Sequence, residues 1–314
     1  MDSRTQYDVA IIGGGPAGLT AAIFLARYLH SVVLIDSGDP RNWETRGING
    51  FLGLPRIRPP ELRELGREEC RAYGVVLLDD IVTGADKVSD DEFHLGLVEG
   101  DIVRARRVLL AIGIRDIWPE VLGLEHTFGQ NAHVCPDCDG YEARGRKVVV
   151  IGNGRRAVGL ALNLTTWTRD IIICTNGEPP QMDLPEYCEK LDALNIPILS
   201  DSIDRVLCEG RTIHSLELRG GMHLDADKIF FAVGQFPADD AGTKLSLQLG
   251  CERDAEGHVI IDEHYHTSVH NVFAAGDIVP GPQLAIAAAA DGAMAALAIH
   301  KSLVPAERRL QPLS

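Results

Sequence analysis

Cys135-Pro136-Asp137-Cys138-Asp139-Gly140 sets two thiols three positions apart with a carboxylate directly after the second. Thiols at this spacing can close into a disulfide, attack one as thiolates, or ligate a metal. Asp139 adds a group able to give or take the proton that disulfide exchange moves in each direction. A tetrahedral zinc site needs about four ligands, and the sequence offers no second close-spaced Cys/His pair to complete one. The pattern therefore points to dithiol/disulfide redox chemistry with Cys135, Cys138 and Asp139 as catalytic residues and no metal.

The elements around this motif are those of an α/β protein. Tyr7 to Ile12 reads as a short apolar strand that breaks into Gly13-Gly14-Gly15-Pro16-Ala17-Gly18, followed by a helical run from Leu19 to Leu29 and a strand from Ser31 that ends at Asp36. Strand, glycine turn, helix and a following acidic residue form a dinucleotide-binding fingerprint: Gly13 for the tight turn, Gly15 for close approach of a pyrophosphate, Gly18 for helix against strand, and Asp36 for an adenosine ribose. The arrangement returns at Lys147 to Ile151, Gly152-Asn153-Gly154-Arg155-Arg156-Ala157, a helix from Val158 to Trp167 and a strand from Asp170 to Cys174. Two apolar strands running into glycine, Arg107 to Gly113 and Ile229 to Gly234, read as the places where the chain crosses between domains. A third such strand, Val272 to Ala275, leads into Gly276-Asp277 and an alanine-rich helix from about Gln283 to His300. Asp277 suits a second grip on the same extended cofactor, at a ribityl or phosphate-side hydroxyl, and that helix's N-terminus suits a flavin's N1/O2 edge.

A chain of 314 residues exceeds what one core usually supports. The expected architecture is two Rossmann-like dinucleotide-binding domains, the second inserted into the first: residues 1–116 and 237–314 for FAD, and 117–236 for the inserted, NAD(P)-binding-like domain that carries the cysteine pair. A net charge of −15 argues against nucleic acid, whose phosphates need a basic surface. No apolar run reaches the roughly 20 residues of a membrane span, and Met1-Asp2-Ser3-Arg4 leads straight into a strand, so a cytoplasmic protein without a membrane partner is expected. The remaining cysteines, Cys70, Cys174, Cys188, Cys208 and Cys251, are scattered singly, unlike a secreted disulfide framework, and read as small structural hydrophobes.

The order of parts, from first fingerprint through C-x-x-C-D-G and second fingerprint to A-A-G-D and a helix, resembles the low-molecular-weight thioredoxin reductase family over nearly the whole chain. That resemblance implies that Gly13, Gly15, Gly18, Asp36, Asp277 and Gln283, with Pro16, Ala17, Asn49 and Gly276, hold FAD, that Cys135 and Cys138 form the redox disulfide with Asp139 as acid/base, and that the protein is a homodimer serving a thioredoxin-like protein or a small-molecule dithiol or disulfide. Departures from the family are informative. Where NADPH-using relatives carry arginines for the 2′-phosphate, this chain has Cys174-Thr175-Asn176-Gly177-Glu178-Pro179-Pro180. Only Arg155 and Arg156, beside Gly152 and Gly154, stand near enough in sequence to serve a nicotinamide nucleotide. Pro40-Arg41-Asn42-Trp43 and Ile48-Asn49-Gly50-Phe51-Leu52-Gly53 resemble instead the microbial dithiol oxidases of natural-product pathways, which pass electrons to oxygen. The donor thus stays open among NADPH, NADH, ferredoxin and the dithiol itself, and so does the direction of electron flow.

Overall fold

A computed structural model describes residues 6–181, 184–232, 234–239 and 242–308. Met1-Asp2-Ser3-Arg4 and Val233, which enter the readings above, lie outside the described residues. The chain divides into two compact units. The first takes the chain up to Trp43, Pro59–Arg115 and the chain from Phe236 onward; the second takes Glu44–Arg58 and Asp116–Gln235. Residues 44–58, which precede the inserted segment in sequence, thus belong to the second unit.

In chain order the first unit opens with β1 (Gln6–Ile12), α1 (Pro16–Arg27), β2 (Val32–Asp36), α2 (Pro59–Ala72), β3 (Val76–Asp79), β4 (Val82–Ser89), β5 (Glu92–Leu97), β6 (Ile102–Leu110) and β7 (Ile114–Asp116). The second unit follows with β8 (Ala132–His133), α3 (Pro136–Asp139), β9 (Val148–Gly152), α4 (Gly154–Leu164), β10 (Ile171–Cys174), α5 (Pro185–Ala193), β11 (Ile198–Leu199), β12 (Ile203–Glu209), β13 (Thr212–Leu218), β14 (His223–Asp225) and β15 (Lys228–Ala232), and β16 (Gln235–Pro237) spans the return to the first unit. The chain ends in the first unit with α6 (Leu245–Gln248), β17 (Val272–Ala274) and α7 (Ala285–Leu303).

The sheet of the first unit runs β3-β2-β1-β6-β5-β4, with β17 also on β6. Its pairs are parallel from β3 to β6 and at β17, and antiparallel along β6-β5-β4. In the second unit β11-β10-β9-β15-β8 are all parallel. The central parallel strands of both sheets are buried on both faces, and since successive side chains alternate sides, each strand feeds two apolar clusters. Val9 and Ile11 of β1 enter one apolar cluster and Ala10 and Ile12 the other; Val149 and Ile151 of β9 are divided from Val148 and Val150 in the same way.

Two details differ from the sequence reading. Helices α1 and α4 start at Pro16 and Gly154, ahead of their apolar runs, because the small residues of each glycine turn already form the first helical turn. The strands from Arg107 and Ile229 are interior strands beside β1 and β9; the crossings come after them, through β7 and β16, which pair with each other.

Small residues bring α7 onto α1. A Cβ on Gly292 would lie 2.1 Å from the Ala17 carbonyl oxygen, a backbone atom that cannot swing aside. Gly292→Val is expected to force these helices apart and cost about 2 kcal/mol or more, seen as a lower thermal unfolding midpoint.

Candidate active site

β8 ends at His133, and two residues later Cys135 caps α3 from an extended conformation (φ −114°, ψ 109°), with Pro136 fixing the first helical position. This tight turn brings the cysteines together: Cys135 and Cys138 are joined as a disulfide with Cα atoms 5.3 Å apart. The Cys138 backbone N–H donates to Cys135 Sγ at 3.1 Å, a contact that would favour a thiolate there. Asn49 Nδ2 donates to the Cys138 carbonyl at 3.0 Å, so this residue, assigned to the flavin by resemblance, braces the Cys135–Cys138 turn within the second unit. Gly140 has no room for a side chain, since a Cβ would meet the Trp167 ring at 2.6 Å.

Asp139 completes the motif. Its Oδ2 lies 3.3 Å from Nδ1 of His133, a residue whose side chain is almost wholly buried. On the far side of that ring, Lys228 Nζ stands 3.5 Å from His133 Nε2 and donates to the Gln130 carbonyl at 2.6 Å. Burial pushes the Lys228 ammonium below the usual lysine range, opposed by the negative charges of Asp139 and Glu142. Neither His133 nor Lys228 belongs to a motif. Only the pairing of β8 with β15, across 95 residues, makes them neighbours.

The other thiols divide in two. Cys70, Cys174 and Cys251 are buried, and burial raises all three, Cys70 to about 11. Cys188 on α5 and Cys208 on β12 are exposed, because each falls on a solvent-facing position of its element. Among the described residues no group of three or more His, Cys, Asp or Glu side chains is placed to hold a metal ion.

The first glycine turn keeps its phosphate-binding form. Gly13 adopts φ +108° and sits against the Ala111 carbonyl, while a Cβ at Gly15 would meet no atom within 4 Å. Helix α1 begins at Pro16 with no side chain capping its N-terminus, which leaves its amides to an anionic group. Ala17 and Gly18 continue this turn, and a Cβ on Gly276 would lie 2.9 Å from that of Ala17. This geometry fits an ADP-containing cofactor such as FAD. Asp36 stands at the end of β2, where Arg63 of α2 pairs with it and Arg67 lies 3.7 Å away. Asp277 and Gln283 meet at Arg41, whose Nη1 donates to them at 3.3 and 3.0 Å. The sequence signalled Asp36, Asp277 and Gln283 but not these arginines, which come from a loop and a helix with no spacing to mark them.

The second glycine turn is differently furnished. Gly152 (φ +158°) and Gly154 (φ +60°) shape it, but Asn153 caps α4: its Oδ1 accepts from Gly154 N–H at 2.9 Å and from Gln181 N–H at 2.8 Å, and its Nδ2 donates to the Pro179 carbonyl at 2.9 Å. Gln181 lies within 4 Å of a Cβ built on Gly154. Thr175 is buried and bonds the Glu178 carbonyl, and Asn176 accepts from the Ile203 N–H, so both turn into the protein. Arg155 and Arg156 are exposed.

Residues 7–292 match the family described as pyridine nucleotide-disulphide oxidoreductase. The chain belongs to that family. The family is one of flavin-dependent disulfide oxidoreductases that also employ a pyridine nucleotide. The chain superposes on the crystal structure of HlmI with a TM-score of 0.88 and 33% identity, over 95% of this chain and 93% of that one. A thioredoxin reductase of Aquifex aeolicus is 29% identical over 95% of this chain and 93% of its own length. A protein of Arthroderma benhamiae described as a probable thioredoxin reductase is 31% identical over 64% of this chain, and the match spans about half (54%) of that relative. Among the described residues no helix of this oxidoreductase is long and apolar enough to cross a membrane.

Two outcomes follow from the site. Gly15→Trp is expected to abolish FAD retention by filling the open face of the turn, checked by flavin absorbance of the purified, folded variant. Alkylation of the native protein at mildly alkaline pH should spare Cys70, Cys174 and Cys251, because a raised pKa keeps each thiol protonated there, and should reach Cys135 and Cys138 only after reduction; peptide mass mapping reads both.

Proposed function

We propose that the protein exchanges electron pairs between FAD and the Cys135/Cys138 disulfide, and passes them between that pair and a thioredoxin-like protein or a small-molecule dithiol or disulfide. The observation that carries this reading is the closed Cys135–Cys138 bridge with Asp139 adjoining it. When bound, FAD supplies the two-electron acceptor and donor that the side chains themselves lack. The chain's part is binding and proton handling. The Gly13–Gly18 turn and the amides of α1 receive the pyrophosphate, Asp36 addresses the ribose, and Asp277 and Gln283 address the remainder. In exchange, a thiolate of the reduced pair attacks a partner disulfide; one S–S bond forms as one breaks, and Asp139 protonates the departing sulfur. The second thiol gives its proton to the now ionised Asp139, closes the Cys135–Cys138 bridge as its thiolate, and the same proton passes to the second departing sulfur, releasing the partner as a dithiol. The oxidase direction runs the same steps backwards, with Asp139 taking the proton. A homodimer in the cytoplasm belongs to the same proposal and rests on the family resemblance.

A second reading concerns the electron donor. Asn153 occupies the N-terminus of α4, and Thr175 and Asn176 stand inward where the family presents arginines to a 2′-phosphate. Each charge-assisted phosphate bond contributes about 1.5 to 3 kcal/mol, so losing two weakens NADPH binding by roughly a hundredfold or more. NADPH is therefore a poor reductant in this reading, and NADH, ferredoxin or the dithiol itself takes its place, the last with oxygen as acceptor.

Anaerobic mixing with NADPH, NADH or a dithiol, followed by flavin absorbance, separates these routes. Slow bleaching by micromolar NADPH and fast bleaching by a dithiol, with recovery in air, is the expected pattern for the oxidase direction; bleaching by NADPH as fast as in an ordinary reductase would overturn the second reading. Cys135→Ser and Cys138→Ser should each abolish turnover with flavin still bound. Asp139→Asn should slow exchange by roughly a hundredfold to ten-thousandfold. Full activity in either serine variant would remove the proposed mechanism.

A further inference from the structure

We infer that Lys228 is a positioning residue that acts through His133 on Asp139, fixing the histidine tautomer that faces the carboxylate and holding Asp139 ready for proton transfer at the Cys135/Cys138 pair. The inference rests on the reading of Asp139 as the acid/base.

The strand register brings these groups together. β15 lies beside β8 with Phe230 opposite His133 and Ile229 opposite Ala132. Lys228 stands two residues before Phe230 and so shares its face of the strand. The Phe230 ring packs on the imidazole with centroids 5.3 Å apart, while the Lys228 side chain reaches the ring's Nε2. His133 is 4% exposed, so water does not compete for its nitrogens. An ammonium has donors only. Nε2, facing it at 3.5 Å, must therefore accept, and the ring proton falls on Nδ1. Nδ1 has no aligned hydrogen-bond acceptor in this geometry, yet Asp139 Oδ2 lies 3.3 Å from it. A small rotation of the carboxylate closes that contact. The result is a column of donors, Lys228 to His133 to Asp139, ending beside the cysteine pair.

A buried cation is costly unless matched. The charges facing Lys228 are Asp139 and Glu142, which favour it, and Arg146 and Arg46, which oppose it. The Gln130 carbonyl takes one of its three protons. If satisfying that carbonyl were its whole task, the lysine would be structural and indifferent to the protonation of Asp139. Acting on Asp139, it favours the carboxylate when the proton has been given up and leaves the orientation unchanged when the proton returns. In each exchange the attacking thiolate forms the new S–S bond, the departing sulfur takes the proton from Asp139, and the reverse step returns that proton to the same oxygen.

The test uses the holoprotein reduced with a dithiol, freed of it, and mixed with a dialkyl disulfide, whose departing thiol needs a proton, from mildly acidic to mildly alkaline pH, with the protein thiols remaining at each time counted after acid quench and alkylation. Lys228→Met removes the group that holds the His133 N–H toward Asp139, so the limb of the profile that Asp139→Asn removes should move upward, with flavin content unchanged. Lys228→Arg should restore the original profile. In an Asp139→Asn background Lys228→Met should change the rate by less than about twofold, as expected when both act on one proton. Should Lys228→Met fail to fold, His133→Phe keeps the packing against Phe230 and should give the same shift. An unmoved profile in a folded Lys228→Met or His133→Phe protein, or full additivity with Asp139→Asn, overturns the inference while leaving the Asp139 assignment intact. A silent Asp139→Asn would instead remove the acid/base reading itself.

Discussion

Burial of both faces of two largely parallel sheets is the constraint on which the rest of the molecule depends. A strand covered on both sides reads as a near-continuous apolar run, and β9 and the C-terminal residues of β1 and β6 do so, while Arg107 within β6 and Lys228 at the start of β15 depart from it. Polar and reactive groups are pushed to the strand ends, where backbone amides and helix N-termini converge. Gly13 follows β1, Asp36 closes β2, Asp277 follows β17, Asn153 follows β9, and Cys135 follows β8. The candidate groups read from the glycine and cysteine motifs lie at such ends, where the apolar runs stop.

The two glycine turns show how one local design can have opposite fates. Both begin with strand and glycine and lead into a helix, and both use positive φ at glycine. At the first, the helix N-terminus is left without a side-chain cap and the space over Gly15 is open. At the second, Asn153 satisfies the helix end and binds the returning loop at Pro179 and Gln181. An amide that already has an acceptor gains less from a phosphate, since binding must first break the internal bond. A single asparagine in the turn thus alters what the whole motif offers to a nucleotide.

The Cys135–Cys138 site combines a local turn with a long-range contact. α3 is four residues long and cannot by itself supply a strong helix field, so the chemistry of the pair depends on the side chains around it. Asp139 is local, the residue directly after the second cysteine. His133 and Lys228 reach it from the sheet, where imidazole and ammonium are held away from water and their influence is screened less than at the surface.

Much of this was legible from sequence because it depends on short-range rules. The glycine turns, Asp36, Cys135, Cys138, Asp139, and the α/β character follow from residue types at fixed spacings, and their physics is contained within one strand-turn-helix unit. Helix starts were displaced because small residues in a glycine turn enter the helix without an apolar signature. What only the tertiary structure decided were the partners: Arg63 and Arg67 on Asp36, Arg41 between Asp277 and Gln283, Asn49 on the Cys138 carbonyl, and Lys228 behind His133. Each pair is separated by tens to hundreds of residues, and no periodicity links its members. Strand register and loop return bring them within a few ångströms, and those are set by the packing of the whole unit, which no local window of sequence contains.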